Sequence, residues 1–497
     1  MQQKKKVVLI MTDTQRKDML GCYGNADMKT PNIDKLAEKG VRFEKAYCCQ
    51  PVCGPARAAL FTGTFPHSNG SWGNSMALGD NVKTIGQRLA DNGVHCAYIG
   101  KWHLDGGDYF GVGRCPEGWD EDYWYDMRTY LEELSEKERV LSRLAKTNEE
   151  DVSEDFLFGH RVSNKAIDFL EKNKEDDFLL VVSYDEPHGP CLCPKRFIDM
   201  YKGYEFPKNP NIWDNLEDKP EHHKVWAGNS VKEDKDALKL DKATYFLACN
   251  SYVDYEIGRV VEAIEKNVPD ALVIYTTDHG DMMKAHSING KGPAMYDEIT
   301  NVPFIVKCPG TAPEGAVCNN LLSHIDVVPT IMDFMKIEVP VILEGKSTVD
   351  MIKDPEVIVN DEVFVEFTRY EVDHDGFGGF QPIRCCIDDR YKLVINLLTS
   401  DELYDLDEDP YEMKNLINSE EHAKIRDGLH DKLLNWMNKT RDPFRGYYWE
   451  RRPWRKDAKD ATWAYTGMTR QRENEEYEPR QLDYDTGLEI TEAHRKK

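Results

Sequence analysis

The sequence predicts an α/β fold, in which helices sandwich a large mixed, mostly parallel sheet and a smaller C-terminal α+β domain holds a short antiparallel sheet. Three observations lead there. Short continuous apolar runs at residues 7–11, 94–99, 177–184 and 271–275 have the length and composition of strands covered on both faces. Helical spacing of apolar residues separates these runs, most clearly at 32–40 and 243–266. Near residue 345 the character changes, and strand-like runs at 363–367, 383–387 and 391–397 follow one another with no helix between them. A chain of 497 residues is long for a single core, so a large domain is expected over 1–345 and a smaller one, with a helix and an extended tail, over 346–497.

Composition narrows the function classes. Charged residues make up 31% and hydrophobic residues 40%, as in soluble globular proteins. A net charge of −25 argues against nucleic acid or an acidic membrane as partner, so an anionic ligand would need local Lys, Arg or metal charge. The start, Lys4-Lys5-Lys6 before the apolar residues 7–11, is basic, but its apolar run is too short for a signal peptide and no cleavage site follows. No stretch approaches the roughly 18 apolar residues of a membrane span. Thirteen scattered cysteines, an odd number, point to a reducing cytoplasm rather than a disulfide scaffold.

Taken in order, the predicted strands end on chemically capable residues. Asp13 follows the first strand, where open α/β sheets bind ligands, although Asp is also a common helix cap. A short strand at 41–47 leads to Cys53-Gly54-Pro55-Ala56-Arg57. Pro55 suits the first helical position, and a helix start offers free N–H groups to an anion; a thiol there can equally be a packed one. The loop at 70–74 brings Asn74 as a substrate-contact candidate. After the strand at 94–99, Lys101 and His103 are two residues apart and would share a side of extended chain. Residues 105–160 are aromatic and acidic, with helical charge patterning at 130–144, and would cover the sheet and shape a pocket entrance.

Pro187 and Pro190 flank His188 beyond the next strand and hold the local chain. The polar stretch 201–239 reads as a solvated insertion, with His222-His223 as a weaker metal candidate. The run 271–275, read as the last central strand, ends in Thr276-Thr277-Asp278-His279-Gly280. A carboxylate and an imidazole there, facing Asp13, make a small oxygen-rich metal site. His286 and Lys291 follow. In the C-terminal part, Arg369, His374 and Arg384 flank a glycine-rich loop at 375–380 that could contact substrate, residues 402–405 read as a closing turn and 423–437 as a helix. The basic, Trp-rich tail at 441–470 reads as a cap on an acidic body or an oligomer contact in preference to a nucleic-acid binder.

Five of these stretches, in this order, resemble the type I sulfatases of the alkaline phosphatase superfamily. They are Cys53-Gly54-Pro55-Ala56-Arg57 with Leu60-Phe61-Thr62-Gly63, then Gly100-Lys101-Trp102-His103, Pro187-His188-Gly189-Pro190, Thr276-Thr277-Asp278-His279-Gly280, and Gly290-Lys291-Gly292 through Tyr296-Asp297. The resemblance covers essentially the whole chain and implies an alkaline-phosphatase-like fold. It also implies conversion of Cys53 to formylglycine (3-oxoalanine) by a formylglycine-generating or anaerobic sulfatase-maturating enzyme. Arg57 and Lys101 would then hold the hydrated aldehyde, His188 and Lys291 would bind sulfate and help protonate the leaving alkoxide, and His103 would act as base for sulfate release.

Asp13, Asp278, His279 and the modified Cys53 would ligate one divalent metal, calcium being favoured by hard oxygen donors and Mn²⁺ or Mg²⁺ admitted by the imidazole. Asn74, His286, His374 and Arg384 are the substrate-contact candidates. Two departures stand out: many sulfatases have adjacent aspartates where this chain has Asp13-Thr14, leaving Gln15 as a substitute ligand, and many have Asn in place of His279. The resemblance therefore implies a sulfuric ester hydrolase acting on a small-molecule or oligosaccharide sulfate, with a sulfated carbohydrate as the expected substrate. The alternatives are a phosphonate monoester hydrolase or phosphodiesterase on the same site, and an inactive sulfated-glycan-binding relative, against which the intact set of site residues argues.

Overall fold

The computed structural model describes residues 5–106, 109–150, 152–235, 243–370, 379–456 and 482–489. Seven strands form the main sheet: β1 (Lys6–Thr12), β2 (Val41–Tyr47), β3 (His95–Gly100), β4 (Phe178–Ser183), β5 (Leu272–Thr277), β6 (Phe304–Lys307) and β7 (Ala316–Ser323). Their order is β3-β4-β1-β5-β6-β2-β7, parallel throughout except that β6 runs against both neighbours. The run read as the last central strand, β5, is thus in the middle of the sheet, with β6 and β7 still to follow.

Alternation along β1 shows why the sheet needs cover on both faces. Val7, Leu9 and Met11 enter one apolar core, and Val8 and Ile10 enter the other. On the first face pack α2 (Cys53–Thr62), through Ala58, Leu60 and Phe61, and α5 (Val327–Phe334). On the second pack α1 (Pro31–Glu38), α3 (Phe158–Lys172) and α4 (Ala243–Asn267). Adjacent strands β3, β4, β1 and β5 keep one register, Gly100 beside Ser183, Ser183 beside Met11 and Met11 beside Thr276, so their carboxyl ends open on the same edge. That edge carries the site.

The second sheet is antiparallel, β11-β10-β9-β8, from β8 (Val363–Phe367), β9 (Ile383–Ile387), β10 (Tyr391–Asn396) and β11 (Glu402–Asp405). Residues 402–405 are its edge strand rather than only a turn. Helix α6 (Ala423–Lys439) packs on this sheet, and their core takes in Ala59 and Phe65 from the α2 region together with Trp449 and Trp454 of the tail. The described part of the tail therefore closes the C-terminal core; residues 457–470 lie outside the described residues. Among the described residues no helix is long and apolar enough to cross a membrane.

Candidate active site

Helix α2 starts at Cys53, two residues earlier than the proline rule predicts, and Pro55 falls in its first turn, where backbone N–H groups lack intrahelical partners anyway. Asn74 supplies one such partner: its Oδ1 accepts from the Gly54 N–H at 2.8 Å. All ten residues of α2 are buried, which fixes Cys53 at the sheet edge. Its Sγ lies 2.9 Å from Lys291 Nζ, 3.2 Å from His279 Nε2 and 3.7 Å from Asp13 Oδ1. Burial and Asp13 oppose ionisation of the thiol, but Lys291, Lys101 and His279 outweigh them and bring it down to about 5.

Arg57, one turn on, is fully buried. Its Nη2 donates to Asp13 Oδ2 and its Nε to Asp278 Oδ2, both at 3.0 Å, while Nη1 donates to the Lys101 carbonyl at 2.7 Å and Ser183 Oγ at 2.9 Å. Each guanidinium nitrogen is committed to the protein. Arg57 consequently holds the two carboxylates in place instead of reaching the residue-53 side chain. Burial opposes the charge on Asp13, yet Lys101, His188, Lys291 and Arg57 hold its carboxyl well below the usual range. Burial and Asp13 push Asp278 up to about 6.

Lys101 reaches the site because Gly100 adopts φ +124, where a Cβ would stand 1.8 Å from the Ser183 carbonyl. Its Nζ contacts Asp13 Oδ2 at 2.8 Å and Asp185 Oδ1 at 2.9 Å. His103 does share a side with Lys101: its ring packs edge-on to Tyr109, whose hydroxyl meets Lys101. His103 Nδ1 is buried without a hydrogen-bond partner among the described residues, and burial with Lys101 and Arg57 pushes the ring down to about 3, so it is neutral at pH 7. His188 is likewise pushed down to about 4 by burial, Lys101 and Lys291.

One atom from each of Asp13, Cys53, Asp278 and His279 falls within 4.8 Å of the others, all four residues being buried. The donor chemistry suits a divalent cation. His279 Nδ1 donates to the Gly280 carbonyl at 2.8 Å, which in the neutral ring puts the lone pair on Nε2, facing the cluster, and Arg57 anchors only the Oδ2 atoms of the two aspartates. Thr14 donates to Asp13 Oδ1 at 2.6 Å through its hydroxyl and to Asp278 Oδ1 at 3.1 Å through its N–H. Gln15 is unavailable as a ligand, because its amide is spent on Asn250, Tyr275 and Thr12.

Two substrate-contact candidates belong elsewhere. His286 is fully buried, with Nδ1 2.6 Å from Asp214 Oδ2, Nε2 near Asn211 Nδ2 and its ring stacked 3.7 Å from that of Tyr296; both nitrogens are taken, and it braces the loop that carries Lys291. Arg384, on β9, is fully buried and paired with Asp442. His374 lies outside the described residues. His222 and His223 are not solvated: both donate through Nε2 to the Pro293 carbonyl, at 2.8 and 3.2 Å, two residues beyond Lys291. The sequence reading missed Tyr109, Asp185 and Ser183 as partners of Lys101, His188 and Arg57. Asp185 stood in plain view beside the His188 motif; Tyr109 had no signal beyond its aromatic loop.

A buried nucleophile candidate at a helix start, among cations and a carboxylate–imidazole cluster on the carboxyl edge of an α/β sheet, defines a hydrolase of anionic esters. Comparison with known proteins names the group. The sulfatase family pattern matches residues 5–337, and the pattern for the C-terminal part of N-sulphoglucosamine sulphohydrolase matches 291–439. The uncharacterized sulfatase YidJ of Escherichia coli K12 is 47% identical over 97% of this chain and 96% of its own. The solved structure of BT4656 in complex with its substrate D-glucosamine-2-N,6-O-disulfate superposes with a TM-score of 0.74 at 21% identity, over 89% of this chain and 99% of that one. The phosphonate monoester hydrolase of Agrobacterium radiobacter gives 0.73 at 22% identity, over 88% and 96%. This chain belongs to the sulfatase family, whose members hydrolyse sulfuric esters.

Proposed function

We propose that the protein hydrolyses sulfate monoesters of carbohydrates, with a formylglycine made from Cys53 as nucleophile. The observation that carries this reading is the surroundings of Cys53 Sγ: Lys291 at 2.9 Å, with Asp13, Asp278 and His279 grouped around it at the start of a buried helix. Asp13, Asp278, His279 and residue 53 would hold a divalent cation, calcium by preference for the carboxylates, which supplies positive charge to polarise the sulfate oxygens and acidify the hydrated aldehyde. The chain's own groups do the rest. One hydroxyl of the hydrate, its proton released to solvent, attacks sulfur as the S–O bond to the alcohol breaks, with Lys291 and Lys101 neutralising the oxygens and protonated His188 giving the departing alkoxide its proton. The second hydroxyl then loses its proton to neutral His103, the C–O bond to sulfate breaks, and the aldehyde returns and rehydrates.

Carbohydrate as the alcohol is supported by the sulfated glucosamine bound by the BT4656 neighbour. Thirteen free cysteines support a reducing, cytoplasmic setting. The similarity to a phosphonate monoester hydrolase keeps phosphonate monoesters and phosphodiesters as the second reading. The test pairs a mass with a rate. In protein made with a maturating enzyme, the peptide bearing Cys53 should be about 18 Da lighter than the thiol form, the change from –CH₂SH to an aldehyde nucleophile, and the sulfate ester should turn over faster than the matched phosphodiester. Faster turnover of the diester hands the site to the second reading, and full activity with an unmodified thiol overturns the formylglycine chemistry.

A further inference from the structure

The Tyr109 hydroxyl touches three groups of the site at once: Lys101 Nζ at 2.8 Å, Asp185 Oδ1 at 2.6 Å and His188 Nδ1 at 3.0 Å. Its single proton fixes what each contact must be. An ammonium only donates, so the phenol oxygen accepts from Lys101. Burial opposes ionisation of Asp185, but Lys101 and His188 hold its carboxyl down at about 2, so it only accepts and takes the phenol proton. With that proton spent, the oxygen can only accept from His188, whose Nδ1 must carry hydrogen. A second contact demands the same: His188 Nδ1 lies 3.0 Å from the Gly189 carbonyl, which cannot donate. In the neutral ring the lone pair is therefore on Nε2.

We infer that Tyr109 is a positioning residue that binds Lys101, Asp185 and His188 into one unit and locks His188 as the Nδ1–H tautomer, making Nε2 the atom that handles the leaving-group proton. The inference rests on the sulfatase reading of the site and deepens it. Nε2 starts bare, takes up a proton from solvent when the ester brings its negative charge, and passes that proton to the alkoxide oxygen as the S–O bond breaks. The phenol fixes the ring plane in which this happens. It also holds Asp185 where the carboxylate balances the charge of the imidazolium. Its ring, edge-on to His103 at 5.1 Å, and the Arg143 guanidinium 5.7 Å from its centroid keep the phenol in place without using the hydroxyl.

Tyr109→Phe retains the ring and deletes only the oxygen. The experiment compares wild type and Y109F on aryl sulfates running from 4-nitrophenyl sulfate, whose phenolate leaves unaided, to phenyl sulfate, whose phenolate needs a proton. The expected loss in kcat grows from under about 3-fold at the acidic end to about 10- to 30-fold at the basic end, with KM nearly unchanged, a part of the usual range for general acid catalysis. An equal loss across the series, or none, overturns the inference, and thermal unfolding of Y109F separates either from misfolding. Ring ¹⁵N shifts of His188 in the wild type give a readout independent of turnover: a protonated Nδ1 and bare Nε2 at pH 7 are expected, and an Nε2–H tautomer overturns the assignment. Wild type that turns over neither aryl sulfate nor sulfated glucosamine counts against the sulfatase reading, while the tautomer measurement still decides this one.

Discussion

Two arginines, Arg57 beneath the site and Arg384 in the second sheet, are both fully buried and both held by carboxylates. Arg384 donates through Nε and Nη2 to the two oxygens of Asp442, at 2.5 and 3.0 Å, and Asp442 Oδ1 also takes the Phe444 N–H. That pair is closed: each oxygen is used, and the guanidinium lies against Phe444 and Trp449. Arg57 instead spreads over two aspartates and uses one oxygen of each, so their Oδ1 atoms remain directed at the Cys53 cluster. The same buried ion pair thus locks a core in one place and presents a ligand set in the other. What differs is where the second oxygen faces: both oxygens of Asp442 take the one guanidinium, whereas the Oδ1 atoms of Asp13 and Asp278, steadied by Thr14, turn toward Cys53 and His279.

Removing the two arginines in turn breaks the comparison most sharply. Arg57→Met and Arg384→Met each leave buried carboxylate uncompensated, which costs about 3–5 kcal/mol in folding. Activity per folded molecule should then part them. Arg57→Met is expected to lose at least about 10³-fold in kcat/KM, because two of the charges that order the site lose their anchor. Arg384→Met should stay within about 3-fold, and Arg384→Met with Asp442→Leu should recover most of the stability, as buried pairs replaced by apolar groups commonly do. Urea unfolding and kcat/KM on the same preparations check both; equal losses of activity would show that the second sheet is as much a part of the site as α2.

Histidines sharpen the contrast at a smaller scale, since they shift in opposite directions. Burial lowers His103 and His188, to about 3 and 4, and neighbouring cations add to it. Burial also disfavours the charge on His67, but Glu366, hydrogen-bonded to its Nδ1, prevails and raises it. The unfolded chain titrates near 6.5. For His103 and His188 the folded value lies below this, so between about pH 4 and 6.5 the unfolded state binds more protons and stability rises with pH. His67 has the raised value, so its contribution is complete below pH 6.5 and is lost as pH climbs through the folded value. Unfolding free energies of metal-free protein from pH 4 to 9 should show His188→Asn flattening the acid side and His67→Asn flattening the alkaline side. A reversed pairing would mean that the local charges have been misread.

How much of this was legible in the sequence depends on the range of the interaction. Asp13, Lys101 and Asp278 were found because a covered strand is a local apolar run and each follows the last strand residue directly, while His188, five residues past β4, was found because Pro187 and Pro190 flank it. β6 escaped because four apolar residues between Pro303 and Pro309 are too few to read as a strand, and β7 because Asn319 and Asn320 interrupt its pattern. The fate of an arginine is another matter. Arg57 finds Asp278 221 positions away and Arg384 finds Asp442 58 away, and no local pattern says which carboxylate will be there. Arg384 beside a glycine-rich loop therefore read as a substrate contact, though it is the anchor of a core. Polar residues whose purpose is a single distant partner are invisible until the chain is folded.

Asn74 offers the finest test of the division between holding the site and forming it. As acceptor for the Gly54 N–H at 2.8 Å, it holds the backbone next to Cys53. Asn74→Ala removes one helix-start partner, worth about 1 kcal/mol of stability, whereas Asn74→Asp restores the acceptor and adds a negative charge beside the nucleophile. If Asn74 acts only on the helix, Asp should recover the stability lost in Ala and kcat/KM should follow it. If the residue also meets substrate, the added charge should repel the sulfate ester and raise KM even as the unfolding midpoint recovers. Asn74 is nearly buried at 9% exposure and its oxygen is already occupied, so the structure favours the first outcome for the oxygen and leaves its amide nitrogen as the group that the KM of the Asp variant interrogates.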